Sequence, residues 1–357
     1  MRKFLLYLTL TAFIAGPLVE LPAAEAATSH ASGHGGKKQK SKIKSHAKAK
    51  YKVKARKHNV VVARAPTPLR AVSATAPADY DNLDLRSAAA LVVDQKTGEA
   101  LYAKNEGIPT SIASITKLMT AMVTLDAGLP LDEEIIVSNE DVDHLKGTGS
   151  RLPLGTRLTR NELLHLALIA SENRAAAALS RAYPGGREAF VTAMNHKARA
   201  LGMKDSLFVD GTGLNSQNRA TAMDLAKMVD AASRYALIRE ITSSGAYDVG
   251  LPGKRVVKVR EDGRVHRVTR EVTRNVAFHN TNALTRSEGW EIGVSKTGYI
   301  NEAGKCLVMQ ANIADRPVII VLLDSWGTWT RIGDANRIRK WLEQGGHLAS
   351  RAGRDSV

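Results

Sequence analysis

Two groups of strand-like segments, separated by a long helical block, set the terms on which this chain can fold. The first is Ala88-Ala89-Ala90-Leu91-Val92-Val93 and Ala100-Leu101-Tyr102-Ala103, joined by Asp94-Gln95-Lys96-Thr97-Gly98-Glu99 as a tight turn. The second is Ile292-Gly293-Val294-Ser295, Leu307-Val308-Met309-Gln310 and Pro317-Val318-Ile319-Ile320-Val321-Leu322-Leu323. An amphipathic helix near 331–343 closes the pattern, with Ile332, Ala335, Ile338 and Trp341 as its apolar positions. Strands at both ends and helices between them imply a mixed sheet with an inserted helical region. At 357 residues and 44% hydrophobic content the chain can bury a real core, and its length allows one large or two ordinary domains.

Thr110-Ser111-Ile112-Ala113-Ser114-Ile115-Thr116-Lys117-Leu118-Met119-Thr120 leads into a helix expected from about Ser114 to Asp126, stopped by Gly128 and Pro130. Thr159-Arg160-Asn161-Glu162 is a capping box, with Thr159 at the N-cap. It opens a run from Leu163 to Ala170 that is apolar nearly all round and therefore a buried helix. His165 inside it reads as a core or groove residue, since no partner that would make it a base is visible. Ser171-Glu172-Asn173 and a small-residue helix from Arg174 follow, then helices over 187–201 and 221–240, with Asp210-Gly211-Thr212-Gly213-Leu214-Asn215 as a polar loop. Val256-Val257-Lys258-Val259 and Val265-His266-Arg267-Val268 flank Glu261-Asp262-Gly263 as a hairpin.

Three small groups carry chemistry. Positions i and i+3 of a helix share a face, so the Ser114 hydroxyl can meet the Lys117 amine, and a lysine held neutral can take a hydroxyl proton. Ser171-x-Asn173 puts two hydrogen-bonding side chains at the end of a buried helix. Lys296-Thr297-Gly298, after the strand ending at Ser295 and before Tyr299, offers an ammonium and a hydroxyl to a substrate carboxylate, and its glycine allows close backbone approach. Each pattern has a double: Ser41–Lys44 and Ser45–Lys48 in a lysine-rich stretch, Ser216-Gln217-Asn218 in the polar loop, and Lys96-Thr97-Gly98 in a turn. Joint order and setting select the first set.

The chain begins with the marks of a secretory signal peptide over 1–26: Arg2 and Lys3, an apolar stretch from Phe4 to Val19, and Ala24-Glu25-Ala26 before a cleavage point. A retained anchor is the weaker reading, because the run is short for a bilayer and Gly16-Pro17 interrupts it. Residues 27–64 hold ten lysines, two arginines and no acidic residue, which is +12 of the chain's net +16. Such charge with few large apolar groups predicts a disordered arm, continued to residue 78 by an Ala/Pro-rich linker and followed by one folded domain over 79–357. The arm reads equally as a solvated tether or as an electrostatic clamp on an anionic wall or membrane surface. Export argues against nucleic acid as the partner. Cys306 is the sole cysteine, which excludes an internal disulfide and a Cys-based zinc cluster, and its strand setting reads as a small buried hydrophobe.

Ser114-x-x-Lys117, Ser171-x-Asn173 and Lys296-Thr297-Gly298, in this order, resemble the serine D-alanyl-D-alanine peptidases, the low-molecular-mass penicillin-binding proteins, over roughly residues 85–345. Gly149-Ser150-Arg151-Leu152-Pro153-Leu154-Gly155, Asp210-Gly211-Thr212-Gly213-Leu214 and Ala303-Gly304-Lys305-Cys306-Leu307-Val308-Met309 support the resemblance. Within the family the chain looks most like the D-alanyl-D-alanine endopeptidase, penicillin-binding protein 7 type. That likeness rests on Asp141-Val142-Asp143-His144-Leu145-Lys146-Gly147, Asn280-Thr281-Asn282 and Ser295-Lys296-Thr297-Gly298-Tyr299. The chain ends soon after its last helix, without the extra domain and amphipathic anchor of many carboxypeptidase relatives. The expectation is a periplasmic enzyme, soluble or loosely held at the envelope, with a part in cell-wall biogenesis and cell shape.

The resemblance implies an α/β fold of the α+β type, β-lactamase/transpeptidase-like, with an antiparallel sheet flanked by helices and an inserted helical region. It also implies acyl transfer on peptidoglycan stem peptides, with β-lactams as covalent inhibitors and no metal or cofactor. Ser114 attacks a D-alanyl carbonyl, Lys117 takes its proton, Ser171 relays a proton to the leaving amine and Asn173 holds the substrate amide. Lys296 depresses the Lys117 pKa by like-charge proximity and, with Thr297, anchors a carboxylate; the N–H groups of Ser114 and Tyr299 form the oxyanion hole. An endopeptidase cutting cross-links and a carboxypeptidase removing terminal D-alanine use the same groups, and the residues alone leave both open; the resemblance favours the first. A β-lactamase needs a deacylating base, for which Glu172 is no counterpart, and a non-catalytic wall-binding protein has no need of three complete motifs.

Overall fold

The computed structural model describes residues 83–327 and 329–345. The expected signal peptide (1–26), the lysine-rich arm and its linker (27–78), and the doubles Ser41–Lys44 and Ser45–Lys48 lie outside the described residues. In chain order the elements are β1 (Ser87–Asp94), β2 (Ala100–Lys104), β3 (Thr110–Ser111), α1 (Thr116–Asp126), β4 (Glu134–Ile136), β5 (Arg157–Thr159), α2 (Arg160–Ile169), α3 (Asn173–Arg181) and α4 (Gly186–Ala200). There follow β6 (Arg219–Ala220), α5 (Ala222–Ala232), α6 (Ala236–Ser243), β7 (Ala246–Glu261), β8 (Arg264–His279), β9 (Glu291–Ile300), β10 (Gly304–Ile313), β11 (Arg316–Ser325) and α7 (Thr330–Glu343).

Both ends of the chain meet in one five-stranded sheet of order β2-β1-β11-β10-β9. Every neighbouring pair in it is antiparallel, so the sheet is not mixed as the element order alone suggested. Its central strands are apolar without a break because both faces are covered. Leu91, Val93, Ile319, Val321 and Leu323 face the core shared with the helical block, while Ala90, Val92, Ile320 and Leu322 face Ala335, Ile338 and Leu342 of α7. Alternate side chains of a strand point to opposite faces, so each strand serves two cores.

Inside the helical block, α1 is buried from Thr116 to Thr124 and packs against α2, α3, α4 and α5. The capping box forms as expected. Thr159 Oγ1 accepts from the Glu162 N–H at 3.1 Å, and the Glu162 carboxylate accepts from the Thr159 N–H at 2.7 Å. His165 is a packed residue, stacked on Tyr247 at 4.2 Å with Nδ1 2.9 Å from the Asn161 carbonyl. Cys306 is fully buried in β10.

Three further expectations need correction. The helix expected over 221–240 is two helices, because Tyr235 adopts an extended backbone (φ −86°, ψ 111°) between α5 and α6. The hairpin around Glu261-Asp262-Gly263 exists, but its strands run 16 residues each. The expected segments, 256–259 and 265–268, lie in its exposed outer part, and the root that packs into the core extends beyond them. Finally, Lys296-Thr297-Gly298 does not follow a strand but lies inside β9, the edge strand of the sheet.

Candidate active site

Ser114 sits in a single 3-10 turn, Ala113–Ile115, that leads into α1, rather than in the α-helix itself. The turn is held from two sides. Thr116 Oγ1 donates to the Ala113 carbonyl at 2.8 Å, and Gly213 of the polar loop presses so closely that a Cβ there would lie 2.0 Å from that carbonyl oxygen. Ala113 itself has φ +48°, a left-handed conformation that non-glycine residues adopt only where the surroundings impose it. One turn further on, Lys117 is completely buried.

The Lys117 ammonium has three oxygen neighbours: Ser114 Oγ at 2.8 Å, Asn173 Oδ1 at 2.7 Å and the Thr212 carbonyl at 2.6 Å. Burial lowers its pKa to about 7, against the opposing pull of Asp210 and Glu172. Two of the three neighbours can only accept. A neutral amine therefore spends its two N–H groups on Asn173 and Thr212 and turns its lone pair to the Ser114 hydroxyl, the arrangement a base requires.

Ser171 occupies the break between α2 and α3 with φ +59°, and its Oγ accepts from Lys296 Nζ at 2.9 Å. Asn173 opens α3, donating through Nδ2 to Thr148 Oγ1 at 2.9 Å while its Oδ1 faces Lys117. Lys296 is 1% exposed, and its Nζ also donates to the Thr297 carbonyl at 2.8 Å. Burial first, then the neighbouring charges of Lys117 and Arg331, hold Lys296 well below the usual lysine range. Burial is the leading cause at both lysines, and their like charges oppose each other across the site.

Thr297 Oγ1 lies 2.6 Å from Thr281 Oγ1. Gly298 faces the nucleophile turn, where a Cβ would stand 2.8 Å from the Ile112 carbonyl oxygen and 3.2 Å from the Ser114 nitrogen. The next residue, Tyr299, pairs with Lys305 across the sheet and exposes its ring. Ser114, Lys117 and Asn173 are thus linked by short contacts, as are Ser171 and Lys296. The strand carrying Thr297, Gly298 and Tyr299 lies against the turn that carries Ser114.

Lys96-Thr97-Gly98 is an ordinary turn, its Lys96 and Thr97 N–H groups donating to the Asp94 carboxylate at 2.9 and 3.0 Å. Asn218, from the second Ser-x-Asn, is buried and accepts from the Val209 N–H at 2.7 Å, fixing the polar loop. Glu172 accepts from Ser150 Oγ at 2.8 Å and the Arg151 N–H at 3.0 Å, so it anchors the 150–152 segment.

Several contributors were given no role in the site by the sequence. The Thr212 carbonyl is a backbone group and carries no residue identity. Asp210 aims the loop by accepting from the Thr212 and Gly213 N–H groups at 2.6 and 2.7 Å. Arg331, read only as the start of the last helix, donates to the carbonyls of Gly298 and Cys306 at 3.0 and 3.1 Å.

Comparison with known proteins finds relatives both in sequence and in fold. A D-alanyl-D-alanine endopeptidase of Pseudomonas aeruginosa is 44% identical over 262 residues, 73% of this chain and 79% of that protein. A D-alanyl-D-alanine endopeptidase of Escherichia coli is 41% identical over the same length, with the same coverage. The crystal structure of the Streptomyces K15 DD-transpeptidase superposes with a TM-score of 0.61 at 27% identity, covering 72% of this chain and 97% of that one, so the two share a fold. The peptidase S11 family, described as D-alanyl-D-alanine carboxypeptidase, matches residues 71–327, and with the site inside that span the chain belongs to this family of serine hydrolases.

Proposed function

We propose that this chain is an exported serine D,D-endopeptidase that hydrolyses D-alanyl cross-links between peptidoglycan stem peptides through an acyl-enzyme on Ser114. The observation that carries the reading is Lys117, fully buried, lowered to about 7 and placed 2.8 Å from Ser114 Oγ. Neutral Lys117 takes the hydroxyl proton as Ser114 Oγ attacks the D-alanyl carbonyl carbon. The oxyanion so formed is received by the N–H groups of Ser114 and Tyr299. Collapse of the intermediate breaks the bond to the leaving amine, which takes its proton through Ser171, the hydroxyl held by Lys296. Thr297 with Lys296 receives the substrate carboxylate, Asn173 its amide, and water then hydrolyses the ester. The proposal includes the division of the chain into a signal peptide (1–26), a basic arm with linker (27–78) and a peptidase domain (79–357), and places the mature protein in the periplasm.

Cleavage of cross-links is supported by two relatives above 40% identity that bear the endopeptidase name. The second reading, removal of terminal D-alanine, is favoured by the family's own description. Purified cross-linked and pentapeptide muropeptides separate the two. The proposal expects dimers to fall to monomers with terminal D-alanine release slower or absent. Release of D-alanine from monomers with dimers left intact would establish the carboxypeptidase instead.

A further inference from the structure

The β7–β8 hairpin pairs in unbroken register from Ala246↔His279 to Glu261↔Arg264. Asp262 and Gly263, at φ +49° and +75°, supply the left-handed pair that a two-residue hairpin turn prefers. Its two halves differ. At the root, Val249, Leu251 and Phe278 are buried in the core, and His279 leads by two residues to Thr281, which touches Thr297 of the site. Beyond Leu251 and before Val276 no residue is buried.

Residues 250–275 carry eight lysines and arginines against three acidic residues, a net +5. The whole of 65–357 carries only +4, so the rest of that span is slightly acidic. All eight basic residues are exposed, and none has an ion-pair partner among the described residues. Arg255 stands opposite Arg270 on one face of the ladder and Lys258 opposite Arg267 on the other. Like charges directly across a strand pair weaken it, so this arrangement does not serve the hairpin's own stability. Guarding an exposed edge against aggregation needs charge, but not charge of one sign on both faces.

We propose that the outer hairpin, residues 253–272, is a docking surface for polymeric peptidoglycan, which it recognises through the free carboxylates of the stem peptides. This rests on the substrate class given above. A ladder of about 30 Å with positive charge on both faces can engage more than one stem peptide. The bound polymer is then held on the segment that runs directly into Thr281 and the active site.

The test combines Arg255→Gln, Lys258→Gln, Arg267→Gln and Arg270→Gln in the full chain. Acylation by a labelled β-lactam and cleavage of soluble cross-linked dimers should match the wild type. Failure of the wild type on dimers would count against the substrate reading and not against the hairpin. In pelleting with purified sacculi the variant should bind about tenfold more weakly, the loss expected of four modest exposed charge contacts. The arm is identical in both proteins, so the difference belongs to the hairpin. Amidating the stem carboxylates of the sacculi should remove that difference. Equal binding to untreated sacculi, a difference that survives amidation, or one seen only with phosphatidylglycerol vesicles would overturn the proposal, the last assigning the hairpin to a membrane surface. Loss of β-lactam acylation in the variant would also overturn it, by placing these charges in the site itself.

Discussion

A lysine amine that titrates near 7 is half neutral at neutral pH, so acylation of Ser114 should rise through pH 7 and level off above it. Stopped-flow acylation by a β-lactam against pH measures this, and a rate flat from pH 5 to 9 would remove Lys117 as the base. Lys117→Arg should slow acylation by about 10²–10⁴-fold, because a guanidinium stays charged and cannot accept the proton. The same shift has a stability consequence. Unfolded, Lys117 keeps its proton up to 10.5; folded, it loses it at about 7. The unfolded state binds more protons between those values, so this residue makes stability rise with pH across that window, and its penalty is full below 7. In Lys117→Met that rise should vanish relative to wild type in denaturant titrations across pH. At this scale the sequence was most legible where the contact is local. The three-residue spacing of Ser114 and Lys117 makes their meeting a property of one helical turn, whereas the Thr212 carbonyl arrives from a loop 95 residues further along the chain.

The elements were legible in proportion to how much of each buries a face. The Thr159–Glu162 box and the apolar stretch after it mark α2, and β1, β10 and β11 announce themselves as apolar runs. The hairpin is the exception: the valine-rich segments 256–259 and 265–268 that mark it lie in its exposed outer part, while the buried root around Val249 and Leu251 is interrupted by Gly250 and Pro252. The 3-10 turn under Ser114 was invisible for a different reason. Gly213 packs against it from across the site, leaving no room for a Cβ, and nothing in residues 113–115 announces it. Gly213→Ala is therefore the element-scale prediction. Its Cβ would overlap the Ala113 carbonyl, and φ +81° is unfavourable for alanine, so the turn must shift. The expected cost is about 1–3 kcal/mol of stability with a marked loss of β-lactam acylation. Thermal denaturation and acylation rates check it, and a variant that acylates at the wild-type rate would show the turn to be independent of the loop.

For the whole molecule, segment order revealed that the sheet draws on both ends of the chain, but not the strand directions, which depend on how distant segments return. Charge was legible and its partner was not. Residues 27–64 carry +12 and contain none of the site residues. Deleting 27–78 should leave acylation and cleavage of soluble muropeptides nearly unchanged while weakening retention on sacculi. That retention should fall as salt rises, since exposed charges are screened beyond about 8 Å at physiological ionic strength. Equal, salt-insensitive pelleting of both proteins would reduce the arm to a spacer. The proposed chemistry stands on a covalent bond at one hydroxyl, and a labelled β-lactam followed by intact mass and peptide mapping reads that bond directly. The prediction is a single adduct on the peptide containing Ser114, absent from Ser114→Ala; label on another serine, or label that persists in Ser114→Ala, would contradict it.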